Sequence, residues 1–568
     1  MKTVKILLCL ILIIIAHGVI DWFINQPQDA GADVPAGKLM SLSFASSREG
    51  FKSPLPEHID QDLGLIADKT RTIRTYSILG SEATADIARK YGVNMLQGGW
   101  LGPDHGNNKK EIEALIESVN AHPDVVNRII VGNEVLLRRD MDIDRLIAYI
   151  RQVKQAVKQP VSYADVWSIY MMYPQLINEV DFITIHILPY WEDEPVPVEH
   201  AAEHIEKVVK QIKDKALGMG QNKPILIGES GWPSVGRQRG RAVPSVVNSA
   251  KFIRSLLQVA ARNNFDYNII EAFNQPWKVD YEGVAGANWG LLSTDHKPIF
   301  PLTGPVSENP AWPVHFALAT ILWLLITAIY YKKLRLVSWP RLLVFLTLTQ
   351  VLSVCLITLA DFLWYTSYSH WQRAYTLFVV AANTALAGLL IRRFYDVLAD
   401  NPDTQQLAGR LRSGYLIFIV LALYKTYGLA FNGRYLSFPV EQFAIPAMGV
   451  CGLMVCLWIR QRRLDYQVLV FDRLAGADLS SRHDRILVYL IEAGVIALVL
   501  GETKAFMDGH DFIVEHPGFY QGLPFALSYT LYNQQLLAWL LCLSLLSIPF
   551  RANRVYRDRS EQLIRLQR

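Results

Sequence analysis

Two glutamates each lie at the end of an apolar, strand-like run and close behind a glycine. Glu134 ends the run IIVGNE at 129–134, and Glu229 lies within ILIGESGWP at 225–233. Such a pair suits cleavage of a glycosidic bond, in which a protonated carboxyl assists the leaving oxygen and an ionised carboxylate attacks the anomeric carbon. A single glutamate at a strand end more often caps a loop or pairs with arginine, but two in these contexts favour a glycosidase site.

Other side chains that could bind a sugar follow further strand-like runs. Aromatic rings suited to stacking on sugar faces are Tyr76, Trp100, Tyr190, Trp191, Trp232, Trp277 and Trp289. Polar groups at strand ends are Asn133, His186 and Glu271. We therefore expect one saccharide site built from the ends of several strands.

Eight strand-like runs alternate with helical patterns between Gly37 and Pro310. The runs are Leu39–Ala45, Thr72–Tyr76, Val93–Leu96, Arg128–Val131, Val161–Tyr163, Phe182–His186, Ile225–Ile227 and Asn268–Phe273. Several are almost continuously apolar, which is typical of parallel strands buried on both faces. Eight strand–helix units in about 270 residues predict an α/β fold, a (β/α)8 TIM barrel with its chemistry at the carboxyl ends of the strands. A doubly wound open sheet is the alternative, although no G-x-G-x-x-G opens a helix to support it.

Residues 38–302 resemble glycoside hydrolase family 17, whose members are β-1,3-glucanases and β-1,3-glucan transglycosylases. The matching pieces, in chain order, are RTY at 74–76, VGNE at 131–134, GESGWPS at 228–234, EAFNQPWK at 271–278 and WGL at 289–291. The resemblance implies a retaining (β/α)8 barrel. One departure is Asn274-Gln275, where many relatives carry Asp-Glu or Asp-Gln.

The resemblance assigns the catalytic roles, with Glu134 as acid/base and Glu229 as nucleophile. Together with the strand-end positions, it predicts a set of substrate-binding residues: Tyr76, Asn133, His186, Tyr190, Trp232, Glu271, Lys278 and Trp289. No cofactor is expected for this chemistry.

A possible metal motif lies in the same half of the chain. His200, Glu203 and His204 match the H-x-x-E-H pattern of inverted zinc peptidases. They fall on the helix after the sixth strand, in the outer ring of the barrel and without an evident third ligand. We therefore expect no metal site.

Apolar runs of membrane-spanning length lie on both sides of the predicted barrel. We divide the chain into an uncleaved signal anchor (1–26), the barrel (36–308), a seven-helix membrane domain (311–550) and a basic cytoplasmic tail (551–568). The seven runs are near 312–331, 342–363, 374–391, 415–431, 441–459, 486–501 and 525–549. Within them, Lys425 and Glu492 could form a buried pair that fixes helix packing.

The charges between these runs predict the topology. A net charge of +4 is too small for a nucleic-acid footprint, so no nucleic-acid partner is expected. Alternate loops are rich in basic residues, among them Arg392, Arg393, Arg410, Arg412, Arg460, Arg462, Arg463, Arg473, Arg482 and Arg485. By the positive-inside rule both termini are cytoplasmic and the barrel lies outside. The five cysteines all sit in apolar runs, and residues 25–310 lack an Asn-x-Ser/Thr sequon, which favours a bacterial, periplasmic domain on the cytoplasmic membrane.

The complete chain resembles bacterial β-(1→6)-glucan synthases. This implies a membrane-bound retaining transglycosylase that makes or remodels β-1,3/1,6-glucan through a covalent glycosyl-enzyme. The expected partners are β-1,3-glucan, the lipid bilayer and a glucan synthase or export protein. The alternatives are a β-1,3-glucanase, in which water replaces the sugar acceptor, and a non-catalytic glucan-binding or export component.

The charge distribution makes a topology prediction. A reporter active only outside the cytoplasm should be silent when fused after Arg568 and active when fused after Asn309, because basic loops resist translocation. Fusions in the 503–523 segment should also be active, on the side where His510 and Asp511 could approach the glucan. An active reporter after Arg568 would contradict the eight-span topology.

Overall fold

The computed structural model describes residues 2–46, 54–462, 466–479, 481 and 483–566. Arg463, Arg482 and Arg568, which belong to the basic segments considered above, lie outside the described residues. The chain forms two compact units. One comprises Pro27–Glu308 together with Asp508–Pro524, and the other comprises Met1–Gln26, Asn309–Met507 and Phe525–Arg568.

The first unit is built on a closed barrel of parallel strands. They are β1 (Leu39–Ser43), β2 (Thr70–Arg74), β3 (Asn94–Gly99), β4 (Val126–Asn133), β5 (Val161–Val166), β6 (Ile183–His186), β7 (Ile225–Ser230) and β8 (Asp266–Ile269). Each strand pairs with the next along the chain, and β1 closes on β8 where Leu42 lies opposite Ile269. The predicted (β/α)8 barrel is therefore confirmed, and the open-sheet alternative is excluded.

Helices precede and surround the barrel. In chain order they are α1 (Lys2–Ile24), α2 (Pro56–Ile66), α3 (Thr84–Tyr91), α4 (His105–Ala121), α5 (Ile143–Ala156), α6 (Trp167–Met172), α7 (Leu176–Glu179), α8 (Val198–Gly218), α9 (Val246–Asn263) and α10 (Val279–Gly286). Short 3-10 turns lie at Pro35–Gly37 and Pro276–Lys278.

The sequence of α4 illustrates how these helices form. Asp104 caps its first turn, because the side chain accepts hydrogen bonds from the backbone N–H groups of Gly106 and Asn107. Ile112, Leu115 and Val119 are fully buried in the core between helix and barrel. Their spacing puts them on one helix face, as the sequence pattern predicts.

The second unit is helical. After α1 it contains α11 (Trp312–Leu334), α12 (Trp339–Tyr365), α13 (His370–Leu398), α14 (Gln405–Phe431), α15 (Val440–Gln461), a 3-10 turn (Tyr466–Leu469), α16 (Phe471–Ala475) and α17 (His483–Met507). The chain then returns to the barrel unit for α18 (His510–Glu515), followed by α19 (Phe519–Tyr532) and α20 (Gln534–Leu566). Among the described residues, eight helices are long and apolar enough to cross a membrane. They are α1, α11 to α15, α17 and the first part of α20, Gln534–Val555.

Two details of this unit differ from the sequence expectation. The run predicted at 525–549 is divided at Asn533, whose Oδ1 accepts a hydrogen bond from the Leu536 N–H at 3.1 Å and so begins a new helix. The expected Lys425–Glu492 pair is wrong. Glu492 accepts a hydrogen bond from Arg551 at 2.6 Å, and the Lys425 ammonium lies 4.6 Å from the centre of the Tyr375 ring.

Candidate active site

The carboxyl ends of the strands bring the predicted catalytic residues together at the barrel mouth. Asn133 ends β4 and Glu134 follows it directly, His186 ends β6, and Glu229 lies in β7. The imidazole Nδ1 of His186 is 2.8 Å from Oε1 of Glu134, and its Nε2 is 3.7 Å from Oε1 of Glu229. Carboxylate oxygens of Glu134 and Glu229 lie within 4.8 Å of one another.

The backbone at Glu134 adopts an unusual conformation. Its φ is +53°, in the left-handed region that non-glycine residues seldom occupy. A hydrogen bond from the Glu134 N–H to the Ala164 carbonyl, at 2.8 Å, holds this turn against β5. Backbone strain of this kind commonly accompanies functional sites, and here it occurs at the residue predicted to move the proton.

Arg74, at the end of β2, is buried beneath Glu229. One guanidinium nitrogen, Nη1, donates to the Gly228 carbonyl at 2.6 Å and lies 3.3 Å from Oε1 of Glu229. The other, Nη2, donates to Oδ1 of Asn133 at 2.6 Å. Burial alone would raise the pKa of Glu229, but the charges of His186, Arg74 and Lys278 lower it below its ordinary value. The site therefore favours the ionised form of Glu229, as a nucleophile requires.

Tyr76 lies near Glu229. Its hydroxyl is 2.8 Å from the Ser43 hydroxyl, and its side chain helps to lower the pKa of Glu229. Burial and the negative charge of Glu229 raise the pKa of Tyr76 well above its ordinary value. The phenol consequently stays protonated and serves as a hydrogen-bond donor.

A second group of charges follows β8. The Lys278 ammonium donates to Oε1 of Glu271 at 2.9 Å. Burial raises the pKa of Glu271 to about 7, even though Lys278 opposes the shift. Burial also raises the pKa of Glu282, on α10, whose carboxyl faces the same lysine.

The aromatic residues divide into two layers. Trp289 packs edge-on against Tyr190 and Trp191, with ring centroids 5.8 and 6.3 Å apart. Tyr190 and Trp232 were expected to bind substrate, but both rings are buried and their polar atoms bond the backbone carbonyls of Arg237 and Val243. Trp191, by contrast, remains partly exposed.

Sequence reasoning missed two site residues. Arg74 enters the sequence analysis only as part of a motif. Its position, a charged residue at the end of strand β2, is a signal that could have identified it as a site residue. Glu282 follows β8 on a short helix, and no strand pattern marks it. Its proximity to Lys278 is local, because Glu282 lies four residues after Lys278, the residue that caps α10.

The metal-ligand geometry can be judged from the described residues. Glu134, His186 and Glu229 have ligand atoms close enough to share an ion, as do Glu194, Glu515 and His516. In the first group the Arg74 guanidinium lies 3.4 Å from His186 Nε2. A metal ion bound there would be repelled by this positive charge. In the H-x-x-E-H motif the two histidines face separate carboxylates, His200 that of Glu203 and His204 that of Glu192.

The barrel with two neighbouring carboxylates at its mouth defines a glycosidase-type site, and comparison with known proteins narrows the class. Residues 40–290 match the BtgE/BtgC glycoside hydrolase domain. A glucan 1,3-beta-glucosidase of Arthroderma benhamiae is 28% identical over 45% of this chain and 91% of its own length. A putative glucan endo-1,3-beta-glucosidase, btgC, of Aspergillus niger is 27% identical over 42% of this chain and 39% of its own length, so the chain spans about two fifths of that relative.

A solved structure is similar to the same half of the chain. The family 17 β-1,3-glucanosyltransferase of Rhizomucor miehei is 28% identical and covers 46% of this chain and 96% of its own, with a TM-score of 0.41. By the domain match and the sequence relatives, the barrel is an enzyme domain similar to glycoside hydrolases that act on β-1,3-glucan.

The charges around Glu229 predict the pH dependence of activity. The acid limb of kcat/KM reports ionisation of the nucleophile in the free enzyme. Since the charge of Lys278 helps to lower the pKa of Glu229, Lys278→Met should move this limb to higher pH with a β-1,3-glucan as substrate. Lys109→Met, at an exposed position on α4, is the matched control and should leave the limb unchanged. An unmoved limb in Lys278→Met would contradict the assignment of Glu229.

Proposed function

We propose that the protein is a membrane-bound retaining β-glucan transglycosylase that acts on β-1,3-glucan. The observation that best supports this proposal is the short distance between carboxylate oxygens of Glu134 and Glu229, which lie within 4.8 Å of one another on either side of the His186 imidazole. Retaining glycosidases hold their carboxyl groups about 5–5.5 Å apart, whereas inverting enzymes need about 6.5–9.5 Å to fit a water between them.

In the first step Glu229 attacks the anomeric carbon of the glucosyl unit. The bond from this carbon to the glycosidic oxygen breaks, and Glu134 donates its proton to that oxygen, which leaves as a hydroxyl. The product is an ester between the Glu229 carboxylate and the donor sugar. Asn133, whose Oδ1 is held by Arg74, keeps its amide nitrogen to donate to the sugar 2-hydroxyl.

In the second step Glu134, now ionised, removes a proton from the acceptor hydroxyl. The acceptor oxygen attacks the anomeric carbon, the ester bond breaks, and Glu229 returns as a carboxylate. A sugar acceptor gives transfer and water gives hydrolysis. The names of the relatives include both a glucosidase and a glucanosyltransferase, so hydrolysis is the second candidate outcome at the same site.

We also propose that the barrel lies outside the cytoplasmic membrane, in a bacterial setting, with both termini inside. The eight apolar helices and the alternating basic loops support this orientation. A further support is the packing of Asp508–Pro524 into the barrel unit, as expected if this segment and the barrel share one side of the membrane. The proposed partners are β-1,3-glucan, the bilayer and a glucan synthase or export protein.

Product analysis tests the function directly. The purified full-length protein should convert β-1,3-gluco-oligosaccharides into longer or branched products, because a bound sugar competes with water for the glucosyl ester. Glu229→Gln keeps the side-chain shape but lacks the nucleophile, and it should reduce turnover to background. Shorter products alone would favour hydrolysis, and no products at all would favour the glucan-binding alternative. Near-wild-type turnover in Glu229→Gln would overturn the nucleophile assignment.

Azide rescue tests retention. Glu134→Ala should slow the natural substrate far more than one with a good leaving group, because only the former needs the proton. Added azide should restore turnover and give a β-glycosyl azide, through attack on the glucosyl ester. An α-glycosyl azide would indicate an inverting enzyme.

A further inference from the structure

The barrel unit contains a segment from the far end of the chain. Residues 508–524, including α18, lie between α17 and α20, two helices long and apolar enough to span a membrane. They nevertheless pack with Pro27–Glu308 as part of the barrel unit. The segment therefore contributes structure to the catalytic half.

The segment contacts the loop that joins β6 to α8. The Asp511 N–H donates to Oδ2 of Asp193 at 3.1 Å, and Nε2 of His516 lies 3.2 Å from Oε1 of Glu194. At Gly509 the approach is closer still, since a Cβ there would lie 2.6 Å from Cγ of Asp193. Glycine at 509 is the residue that lets the backbone of the segment approach the Asp193 side chain.

The contact is also buried. Phe512 of α18 is 1% exposed, and its ring packs on His516 with centroids 4.8 Å apart. Burial and the charge of Asp193 raise the pKa of Asp511 to about 6, as expected of a carboxyl enclosed at an interface.

The opposite end of the same loop belongs to the saccharide site. Tyr190 stacks on Trp191 with centroids 5.6 Å apart, and Trp191 in turn contacts Trp289. The backbone carbonyl of Trp289 accepts a hydrogen bond from the N–H of Glu271 at 3.1 Å, beside the Lys278 pair. Within five residues the loop thus has an aromatic end at the site and an acidic end on the segment.

We propose that residues 508–516 are a positioning element for substrate binding. By holding Asp193 and Glu194 they fix the β6–α8 loop so that the partly exposed Trp191 stands against Trp289, between Tyr190 and Arg239, where it can contact a glucosyl unit of the β-1,3-glucan. Gly509 and His516 are the positioning residues. This inference rests on the proposed function, because it takes Trp191 to be a sugar-contacting residue.

Such a role affects binding more than chemistry. In a variant that has lost these contacts, the loop must become ordered as the sugar binds, and this ordering costs free energy. The cost weakens binding of the substrate and of the transition state alike, so KM rises and kcat is unchanged. General destabilisation acts differently, since it reduces the fraction of folded enzyme and lowers the apparent kcat. Measuring kcat and KM separately therefore distinguishes positioning from mere structural support.

The test uses the full-length protein and β-1,3-glucohexaose. Gly509→Val should raise KM about tenfold and His516→Ala about threefold, with kcat within about twofold of wild type. His516→Gln keeps a polar side chain of similar reach beside Glu194 and should restore KM. Gly218→Val, at the end of α8 with open space around its Cβ position, is the control for Gly509→Val and should match wild type.

The two proposals can fail separately. If wild type is active and both His516→Ala and Gly509→Val match Gly218→Val, the positioning role is wrong while the proposed function stands. A fall in kcat with unchanged KM also overturns positioning. If Gly509→Val does not fold, the comparison of His516→Ala with His516→Gln tests the positioning role by itself. If wild type shows no turnover, the dissociation constant for the hexaose replaces KM in the same comparison, and a chain that neither turns over nor binds overturns both proposals.

Discussion

The buried guanidinium of Arg74 is the interaction on which the active site depends. A charge that is 1% exposed must be matched by hydrogen bonds and an opposite charge, or its desolvation destabilises the fold. Arg74 meets this requirement by bonding groups from two other strands, Asn133 of β4 and both Gly228 and Glu229 of β7. The same bonds place the nucleophile and the residue before the acid/base, so the stability of the mouth and its catalytic geometry share one cause.

This arrangement separates the behaviour of neighbouring carboxyl groups. Glu229 lies among His186, Arg74 and Lys278, and these charges outweigh its burial and lower its pKa. Glu271 is equally enclosed, but Lys278 alone does not compensate, and its pKa rises to about 7. Two buried glutamates that both interact with Lys278 thus differ in protonation near neutral pH, because only Glu229 also lies beside His186 and the Arg74 guanidinium.

The sequence predicted the barrel and the placement of Glu134 and Glu229 at its mouth, since both glutamates follow an apolar strand and a glycine. It predicted less well what depends on packing. Tyr190 and Trp232 have the residue types of sugar-binding rings, yet their polar atoms bond the backbone and their faces are buried. The Lys425–Glu492 pair is not formed, because Glu492 instead accepts a hydrogen bond from Arg551, which is distant in sequence. The contact of Asp193 with Gly509 joins positions more than 300 residues apart, and no local pattern encodes it.

The split of the barrel unit between 27–308 and 508–524 has a consequence for biosynthesis. The ribosome makes the chain from its N-terminus, so Pro27–Glu308, with all eight strands, is complete about 200 residues before Asp508–Pro524 begins. At about 5–20 residues per second, that interval is about 10–40 seconds. During it the newborn barrel lacks the segment that contacts Asp193 and Glu194, and the barrel unit is complete only after α11 to α17 and this segment have been translated. The helices between the two parts thereby set the time at which a complete barrel unit first exists.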